Sequence, residues 1–394
     1  MKKLIALLLA MLMVFSLAAC GSEETPAAEE NSASDAPAAE NVASDEPIYI
    51  GLMDAFSGDK AMAGMYAKEA AEMFVADINA AGGVLGRELV VVYEDDQGNE
   101  TFATNAFQKI TAENELSGIV LTKYSSVVLA VEPFLDEAGV PAICSGSSQK
   151  IADTESEYLY STRKSEKDAA VSYAKGCEAV GMTKVCILHC PDATGTGLSP
   201  LIAEQLEKLG IEVLSIQQFG ADEKSFAPYI AKMVAEGCDG IVAVAQQTEA
   251  ALIMSAVAEA DLDIPCMGNS AFCQQTAITN SGEACNGWYS VTAWSPNITT
   301  EPAKSWVERY ISLYDHAPDM GSALTYEALS IFCDAMERCG STDPEDIKNA
   351  IREIKDFEGL ASIYTYNEGL SMLATSEFLC QIENQQSMVR EMLK

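Results

Sequence analysis

The chain has 394 residues, of which 48% are hydrophobic and 21% are charged, and its formal net charge at pH 7 is -35. Because this length exceeds what one compact core usually holds, we expect two domains. A surface this acidic repels phosphate backbones and anionic lipid headgroups, so the charge argues against a nucleic-acid partner.

The first twenty residues have the pattern of an export signal. Lysines at positions 2 and 3 precede the apolar run LIALLLAMLMVFSLAA, which is shorter than the ~20 residues that a membrane-spanning helix needs. The run ends in LAAC, which resembles the lipobox of bacterial lipoproteins. That resemblance implies cleavage before Cys20 and lipid modification of its thiol. The alternatives are an uncut signal anchor and an ordinary signal in which Cys20 is incidental.

Residues 21–47 form a polar segment after this signal. The segment, GSEETPAAEENSASDAPAAENVASDEP, holds eight acidic residues, no basic residue and a single aliphatic residue larger than alanine, Val42. Such a composition cannot bury enough apolar surface to offset the chain entropy lost on folding. We therefore predict a disordered acidic tether.

From residue 48 onward, short apolar runs alternate with helical patterns. The runs IYIGLM, ELVVVY, GIVLT and VPAIC are predicted as strands, with helices over about 61–81, about 100–114 and from Ser125. Continuous apolar runs flanked by helices are typical of a parallel sheet covered on both faces. The segment therefore predicts a first α/β lobe.

A second series of the same kind begins at Lys184. Its predicted strands are KVCILH, IEVLSI, GIVAVA, IPCMG and GWYSVTAW, and its predicted helices cover about 200–209, 226–236 and 248–260. Helices are then predicted in KSWVERYISLYD, in TYEALSIFCDAMERC and over 344–355, followed by two short strands in EFLCQIENQQSMVREM. The predicted fold class is α/β, with two Rossmann-like lobes, parallel-rich sheets and a hinge of several crossings.

This organisation gives a prediction for the lobe boundaries. The first lobe is expected to combine residues 48–164 with about 295–375, and the second to combine about 165–294 with 376–394. Eleven cysteines remain besides Cys20. Several lie in or beside apolar strand-like runs, where a free thiol behaves as a small hydrophobic group, so most are predicted to be unpaired.

No catalytic pattern stands out in the sequence. The serine-rich stretch CSGSSQ, residues 144–149, is not a G-x-S-x-G elbow, and the chain offers only His189 and His316 as bases for a triad. Neither a Walker A loop nor G-x-G-x-x-G after the first strand is present. On a strand, Cys186 and Cys190 of CILHC share one face while His189 points to the other, which disfavours a metal site. We expect no enzyme activity, no metal and no cofactor.

Polar loops follow the predicted strands, and open α/β sheets bind ligands beyond the carboxyl ends of their strands. In the first lobe these loops are DAFSGD, KYSSV and CSGSSQ, and in the second they are HCPDATGTG, AQQTE and GNSAF. Ser125 and Ser126 also begin a helix, where hydroxyl and backbone N–H groups suit an anion. The alternative is that Ser125 serves only as a helix N-cap.

The stretch VADINAAGGVLGRELVVVYEDDQGN, residues 75–99, closely resembles type I periplasmic binding proteins of the leucine/isoleucine/valine-binding class. The resemblance covers roughly residues 48–382, with GLMDAFSGDKAMAG and EKSFAPYIAKMVAEGCDGIV as further matches. It implies two lobes joined by three crossings that close on a solute. It also implies a role as the receptor of an ATP-driven importer.

Within this family the first lobe holds the carboxylate of the ligand. The resemblance carries that role to Ser125, Gly146 and Ser148, and the serine pairs at 125–126 and 147–148 fit such a grip.

Other ligand-contacting positions depart from the family pattern. Tyrosines of the branched-chain receptors are replaced by Ala63, Thr194 and Gln246, and the acid that binds the α-ammonium group falls on Ser270. Either Asp192, Glu249 or another acid replaces it, or the ligand is a carboxylate without an amine.

The resulting hypothesis is an extracytoplasmic solute-binding lipoprotein of an ABC importer, anchored to the outer face of the cell membrane by lipid on Cys20. It is expected to be a monomer that binds a small carboxylate-bearing solute and delivers it to a membrane permease. An amino acid, branched-chain or otherwise hydrophobic, is favoured. The alternatives are a ligand sensor of the same fold and a receptor for a non-amino carboxylate such as an aromatic acid.

Overall fold

The computed structural model describes residues 46–299, 301–360, 362–367 and 371–393. The predicted signal with Cys20 lies outside the described residues, as does the predicted tether up to residue 45. In the part of the chain that the structure describes, no helix has both the length and the apolar character that crossing a bilayer requires.

Five parallel strands form the sheet of the first lobe. They are β1 (Ile48–Asp54), β2 (Leu89–Asp95), β3 (Leu116–Leu121), β4 (Ala142–Cys144) and β5 (Leu159–Ser161). Their order is β2-β1-β3-β4-β5. Every residue of β3 is buried, as its continuous apolar run predicts for a strand covered on both faces.

Five helices follow these strands along the chain. They are α1 (Ala61–Ala80), α2 (Glu100–Glu113), α3 (Ser125–Val131), α4 (Leu135–Ala138) and α5 (Gln149–Ala152). Phe107 of α2 and Val128 of α3 pack in one buried cluster with β3, and Phe74 of α1 packs in another with β1. The sheet therefore has a core on each face.

Strands β6 to β10 build the parallel part of the second sheet. They are β6 (Lys184–His189), β7 (Glu212–Gln218), β8 (Gly240–Val244), β9 (Cys266–Gly268) and β10 (Tyr289–Thr292). The later strands are β11 (Phe357–Glu358) and β12 (Ile363–Tyr364), which pair with each other, and β13 (Glu377–Glu383) and β14 (Gln386–Leu393). The second sheet has the order β14-β13-β10-β9-β8-β6-β7, with β13 and β14 as an antiparallel hairpin at one edge.

The helices of the second lobe are α6 (Glu166–Ala179), α7 (Ala193–Lys208), α8 (Ala227–Glu236), α9 (Gln247–Glu259) and α10 (Gln275–Ser281). Buried side chains of α8 and α9 pack on one face of the sheet, and those of α6 and α7 pack on the other. The predicted α/β class with two lobes and parallel-rich sheets is confirmed.

Three further helices return to the first lobe: α11 (Ala303–Tyr314), α12 (Met320–Cys339) and α13 (Pro344–Ile351). Phe332 of α12 packs with Phe74 of α1 against the first sheet. The chain then enters the second sheet again through β13, so from β1 to β14 it passes between the lobes three times. Two of these passages run side by side, because the backbone of Ser161 bonds to Ser371 at 2.8 Å and to Leu373 at 2.9 Å.

Helix starts differ most from the sequence predictions. Helix α7 begins at Ala193 and includes Pro200, at which it was predicted to begin, because the Asp192 side chain caps it by accepting from the Gly195 N–H at 3.0 Å. Helix α12 begins five residues before the predicted run, where Asp319 and Ser322 form a capping box. Helix α6 was not predicted at all.

Candidate ligand-binding cleft

A cleft of about 560 Å³ lies between the two lobes. Its walls come from loops that follow β1, β3, β4 and β5 in the first lobe and β6, β8 and β9 in the second. Parallel α/β sheets bind ligands at this end of their strands. The cleft is therefore where the strand order places a ligand site.

The structure brings together five of the seven predicted ligand-binding residues on the cleft surface. These five are Ser125, Ser126, Thr194, Gln246 and Ser270. The other two, Gly146 and Ser148, are buried directly behind Ser125. Between them in the sequence, Ser147 is half-buried and lines the cleft.

Ser125 connects the loops that follow β3 and β4. Its side-chain Oγ accepts a hydrogen bond from the backbone N–H of Ser148 at 3.3 Å. The N-cap position of α3 is occupied by Tyr124, so the alternative that Ser125 only caps this helix is wrong. A serine hydroxyl that accepts at its oxygen still has its own hydrogen to donate.

Gly146 and Ser148 shape the wall behind Ser125. A Cβ atom at position 146 would lie 3.1 Å from Ser125 Oγ and 2.6 Å from Ile151 Cδ1, so the close approach of the two loops needs a glycine there. The Ser148 side chain caps the short helix α5 by accepting from the Lys150 N–H at 3.4 Å. The serine-rich stretch thus packs behind Ser125, caps α5 and contributes to the cleft surface.

A buried ion pair that the sequence analysis missed forms part of the cleft wall. Lys123 Nζ lies 3.4 Å from Asp319 Oδ2, and each side chain is 9% exposed. Burial lowers the pKa of Lys123, but Asp319, Tyr124 and Asp54 together outweigh this effect, and the pKa is raised overall. Both charges are therefore neutralised by each other. The pair joins the loop after β3 to the start of α12.

Two more cations line the first-lobe side of the cleft. Lys60 donates to the Gly98 carbonyl at 2.7 Å and lies 4.1 Å from the centre of the Tyr124 ring, so it supports the loop that carries Ser125. Arg163 lies on the first passage between the lobes, and its Nε is buried without a hydrogen-bond partner among the described residues. Arg163 therefore adds a positive charge to the cleft wall.

The second lobe contributes two acids with different surroundings. Asp192 is already engaged, because its Oδ1 caps α7 and its Oδ2 accepts from Gln246 Nε2 at 2.8 Å. Glu249 is half-buried on α9 and lines the cleft, and its side-chain carboxylate makes no hydrogen bond or ion pair with the described residues. Of these two carboxylates, Glu249 is the one available to a positively charged group.

The chemistry of this region does not match a hydrolase. His189 and His316 lie off the cleft surface, bonded at 2.8 Å to the Cys190 carbonyl and at 3.3 Å to Glu69 respectively. Burial raises the pKa of Cys144 to about 11, which keeps its thiol protonated and unreactive. Among the described residues, no group of three or more histidine, cysteine or acidic side chains is placed to hold a metal ion.

Comparison with known proteins gives a family and relatives. A family model described as periplasmic binding protein matches residues 47–376. A Leu/Ile/Val-binding protein homolog 2 from Brucella abortus (strain 2308) is 24% identical over 320 residues, which are 79% of this chain and 84% of that protein.

Solved structures share the fold at low sequence identity. The branched-chain amino acid transporter substrate binding protein LivJ from Streptococcus pneumoniae, in complex with isoleucine, aligns with a TM-score of 0.77 at 21% identity, covering 88% of this chain and 99% of its own. An ABC transporter solute binding protein from R. palustris, in complex with benzoate, also aligns with a TM-score of 0.77, at 16% identity, covering 88% of this chain and 96% of its own. These relatives and neighbours are solute-binding proteins and not enzymes.

Proposed function

The chain belongs to the periplasmic binding protein family, and from this premise we propose that it is the extracytoplasmic solute receptor of an ABC importer. It binds a small carboxylate-bearing solute between its two lobes. The single observation that carries the proposal is the position of Ser125, whose hydroxyl lies at the cleft with its oxygen held by the Ser148 N–H.

The carboxylate lies against the serines of the first lobe. Ser125, Ser126 and Ser147 line the cleft with hydroxyl groups, and the positive charge of Arg163, which also lines it, favours an anion there. Hydrogen bonds between such donors and a carboxylate are worth about 1.5–3 kcal/mol each. Two or three of them are enough to fix one end of a small ligand.

The preferred ligand is an amino acid with a branched-chain or other hydrophobic side chain. Its ammonium group is placed against Glu249, because this cleft carboxylate has no partner among the described residues. The isoleucine complex of the S. pneumoniae neighbour supports an amino acid of this size.

A receptor for a carboxylate without an amine is the second candidate. It is favoured by Ser270, a neutral residue where the family resemblance expects an acid, and by the benzoate complex of the R. palustris neighbour. In this case the serines keep their role and Glu249 faces solvent.

Ligand binding is coupled to closure of the lobes. Three passages of the chain join the lobes, and binding proteins of two lobes close by hinge motion around the ligand. A ligand that contacts both lobes stabilises the closed form, because it gains those contacts only there. The closed monomer is the form that a membrane permease receives.

The protein is held at the outer face of the cell membrane by lipid on Cys20. The LAAC pattern and the polar residues 21–47 support this arrangement, since a tether of this length lets a soluble receptor reach a permease. Cys20→Ala is expected to release the protein from the membrane fraction, and retention of the variant there would contradict lipid anchoring.

A thermal-shift screen tests the proposed function. The purified protein is heated with amino acids, aromatic acids and other small carboxylates, with neutral sugars and simple amines as controls. A ligand at 100 times its dissociation constant adds about 2.7 kcal/mol to the free energy of unfolding, which is a clear shift of the midpoint. If only sugars or simple amines raise the midpoint, the proposal of a carboxylate receptor is wrong.

A further inference from the structure

We propose that a second cavity beside the cleft is a subsite for an uncharged apolar tail of the ligand, so that within the proposed class of hydrophobic carboxylates those with a chain longer than that of leucine bind more tightly than the shorter ones. The cavity has a volume of about 220 Å³. The inference rests on the proposed carboxylate grip at Ser125 and adds the class of solute that the grip selects.

The walls of this cavity carry more apolar than polar surface and come from several parts of the fold; Asn297, Gln386 and Ser387 are among the polar residues. Ile278 of α10 belongs to the second lobe, Val307 and Ile311 of α11 belong to the first, and Trp294 and Pro296 lie on the passage between them. Ile278, Trp294 and Val307 are at most 7% exposed, whereas Ile311 is 42% exposed and lies near the rim. An apolar group that enters this cavity is removed from water on several sides.

The cavity shares part of its wall with the ligand cleft. Gln274 and Gln275 from the second lobe and Asp319 and Met320 from the first lobe line both spaces. Asp319 is the one charged residue among those lining the cavity in the described chain, and its charge is neutralised by Lys123. A neutral tail that extends from the cleft toward the cavity therefore meets no unpaired charge at this shared wall.

The loop with the serines and the wall of the cavity are linked by a buried ion pair. Lys123 lies two residues before Ser125, a separation of at most about 7 Å along an extended backbone. Its Nζ is 3.4 Å from Asp319, which already belongs to the cavity wall. The loop that carries Ser125 is thus connected to the cavity wall through the Lys123–Asp319 pair.

Two homologous series of ligands test how binding affinity depends on the chain length of the ligand. Straight-chain 2-amino acids from 2-aminobutyrate to 2-aminooctanoate and straight-chain alkanoates from butanoate to octanoate are titrated into the purified protein by calorimetry. Once the tail enters the cavity, each added methylene is expected to tighten binding roughly fourfold, as burial of one methylene predicts. The use of both head groups makes the result independent of whether the ligand carries an amine.

A pair of variants on α11 locates the tail. Ile311→Trp places an indole at the cavity, and Leu313→Trp on the same helix is the matched control, because Leu313 is 54% exposed and does not line the cavity. The proposal predicts equal affinity of all three proteins for the shortest ligands. It also predicts that in Ile311→Trp alone the affinity no longer rises with the chain length of the ligand.

The outcomes separate this inference from the proposed function. The proposed subsite is wrong if short carboxylates bind and longer ones bind no more tightly, or if Ile311→Trp keeps the full increase in affinity with chain length. The receptor function stands in either case. If no member of either series binds, the carboxylate grip is wrong and the subsite falls with it. Should Ile311→Trp fail to fold, tryptophan fluorescence of the wild type decides. Long ligands must then shift the tryptophan emission of the wild type, whereas short ligands leave it unchanged. The shift must disappear in Trp294→Phe, which assigns it to Trp294.

Discussion

The side-chain oxygen of Ser125 accepts a hydrogen bond from the backbone N–H of Ser148 at 3.3 Å, and this bond joins the loops that follow β3 and β4. Because the oxygen is occupied on that side, the hydroxyl hydrogen is oriented away from Ser148 and is free for a ligand. The arrangement prepares a donor before the solute arrives, which lowers the entropy cost of binding.

Ser125→Ala is predicted to weaken ligand binding about 10- to 100-fold, because one hydrogen bond to a carboxylate is worth about 1.5–3 kcal/mol. Titration calorimetry measures the change. Ser148→Ala is the companion variant, since its side chain caps α5 and is 5% exposed. We expect it to lower stability by about 1 kcal/mol and to leave affinity unchanged. The reverse pattern, with Ser148→Ala the more damaging to affinity, would contradict this assignment of the two serines.

Glu249→Gln separates the two candidate ligand classes. If Glu249 accepts the ammonium group, the variant binds amino acids at least tenfold more weakly while carboxylates without an amine bind as before. Glu259→Gln, at the exposed end of the same helix, is the control and should change neither affinity. Equal binding of amino acids by the wild type and Glu249→Gln would remove Glu249 from the site.

Asp319→Asn tests the buried ion pair with Lys123. Asparagine still caps α12, so the variant removes the charge and deprives the buried Lys123 ammonium of its ion-pair partner. Breaking such a pair costs about 3–5 kcal/mol in the free energy of unfolding, measured with urea. Glu204→Gln in the exposed pair with Lys208 is the control, with an expected loss below about 1 kcal/mol. Similar losses in both variants would show that the Lys123–Asp319 pair is not desolvated.

The stability of the protein should depend on pH through Glu166. Burial raises the pKa of this carboxyl group to about 7, although the Gln149 N–H and Arg163 act in the opposite direction. Because the folded state then binds the proton more tightly than the unfolded state, the free energy of unfolding falls as pH rises from about 4.5 to about 7. Glu166→Gln should remove this part of the pH dependence. The free energy of unfolding of the variant, relative to that of the wild type, is therefore higher at pH 8 than at pH 5. Urea unfolding at the two pH values measures the difference, and parallel curves would refute the assignment.

Several features were predictable because they depend on residues close together in sequence. Apolar runs such as GIVLT predicted the strands, and the polar loops after them predicted the position of the cleft. The exposure of Ser125 and Ser126 at that cleft follows from their place directly after β3. Local pattern and strand order are sufficient for such statements.

Other features depend on contacts between distant parts of the chain. Lys123 and Asp319 are 196 residues apart and meet only because α12 returns to the first lobe. The second cavity needs α10, α11 and the passage at Trp294 together, and no local pattern indicates their proximity. The early start of α7 was predictable in principle, since Asp192 is a strong N-cap residue, but Pro200 is a common first residue of a helix and favoured a later start.

The most direct test of the account compares an acid with its own amide. Titration calorimetry is carried out on the purified protein with the carboxylate that gives the largest thermal shift and with the corresponding primary carboxamide, which has nearly the same size and no charge. The account predicts that the acid binds at least 100-fold more tightly than the amide, and that Ser125→Ala reduces this ratio. Equal binding of acid and amide by the wild type would contradict the carboxylate grip.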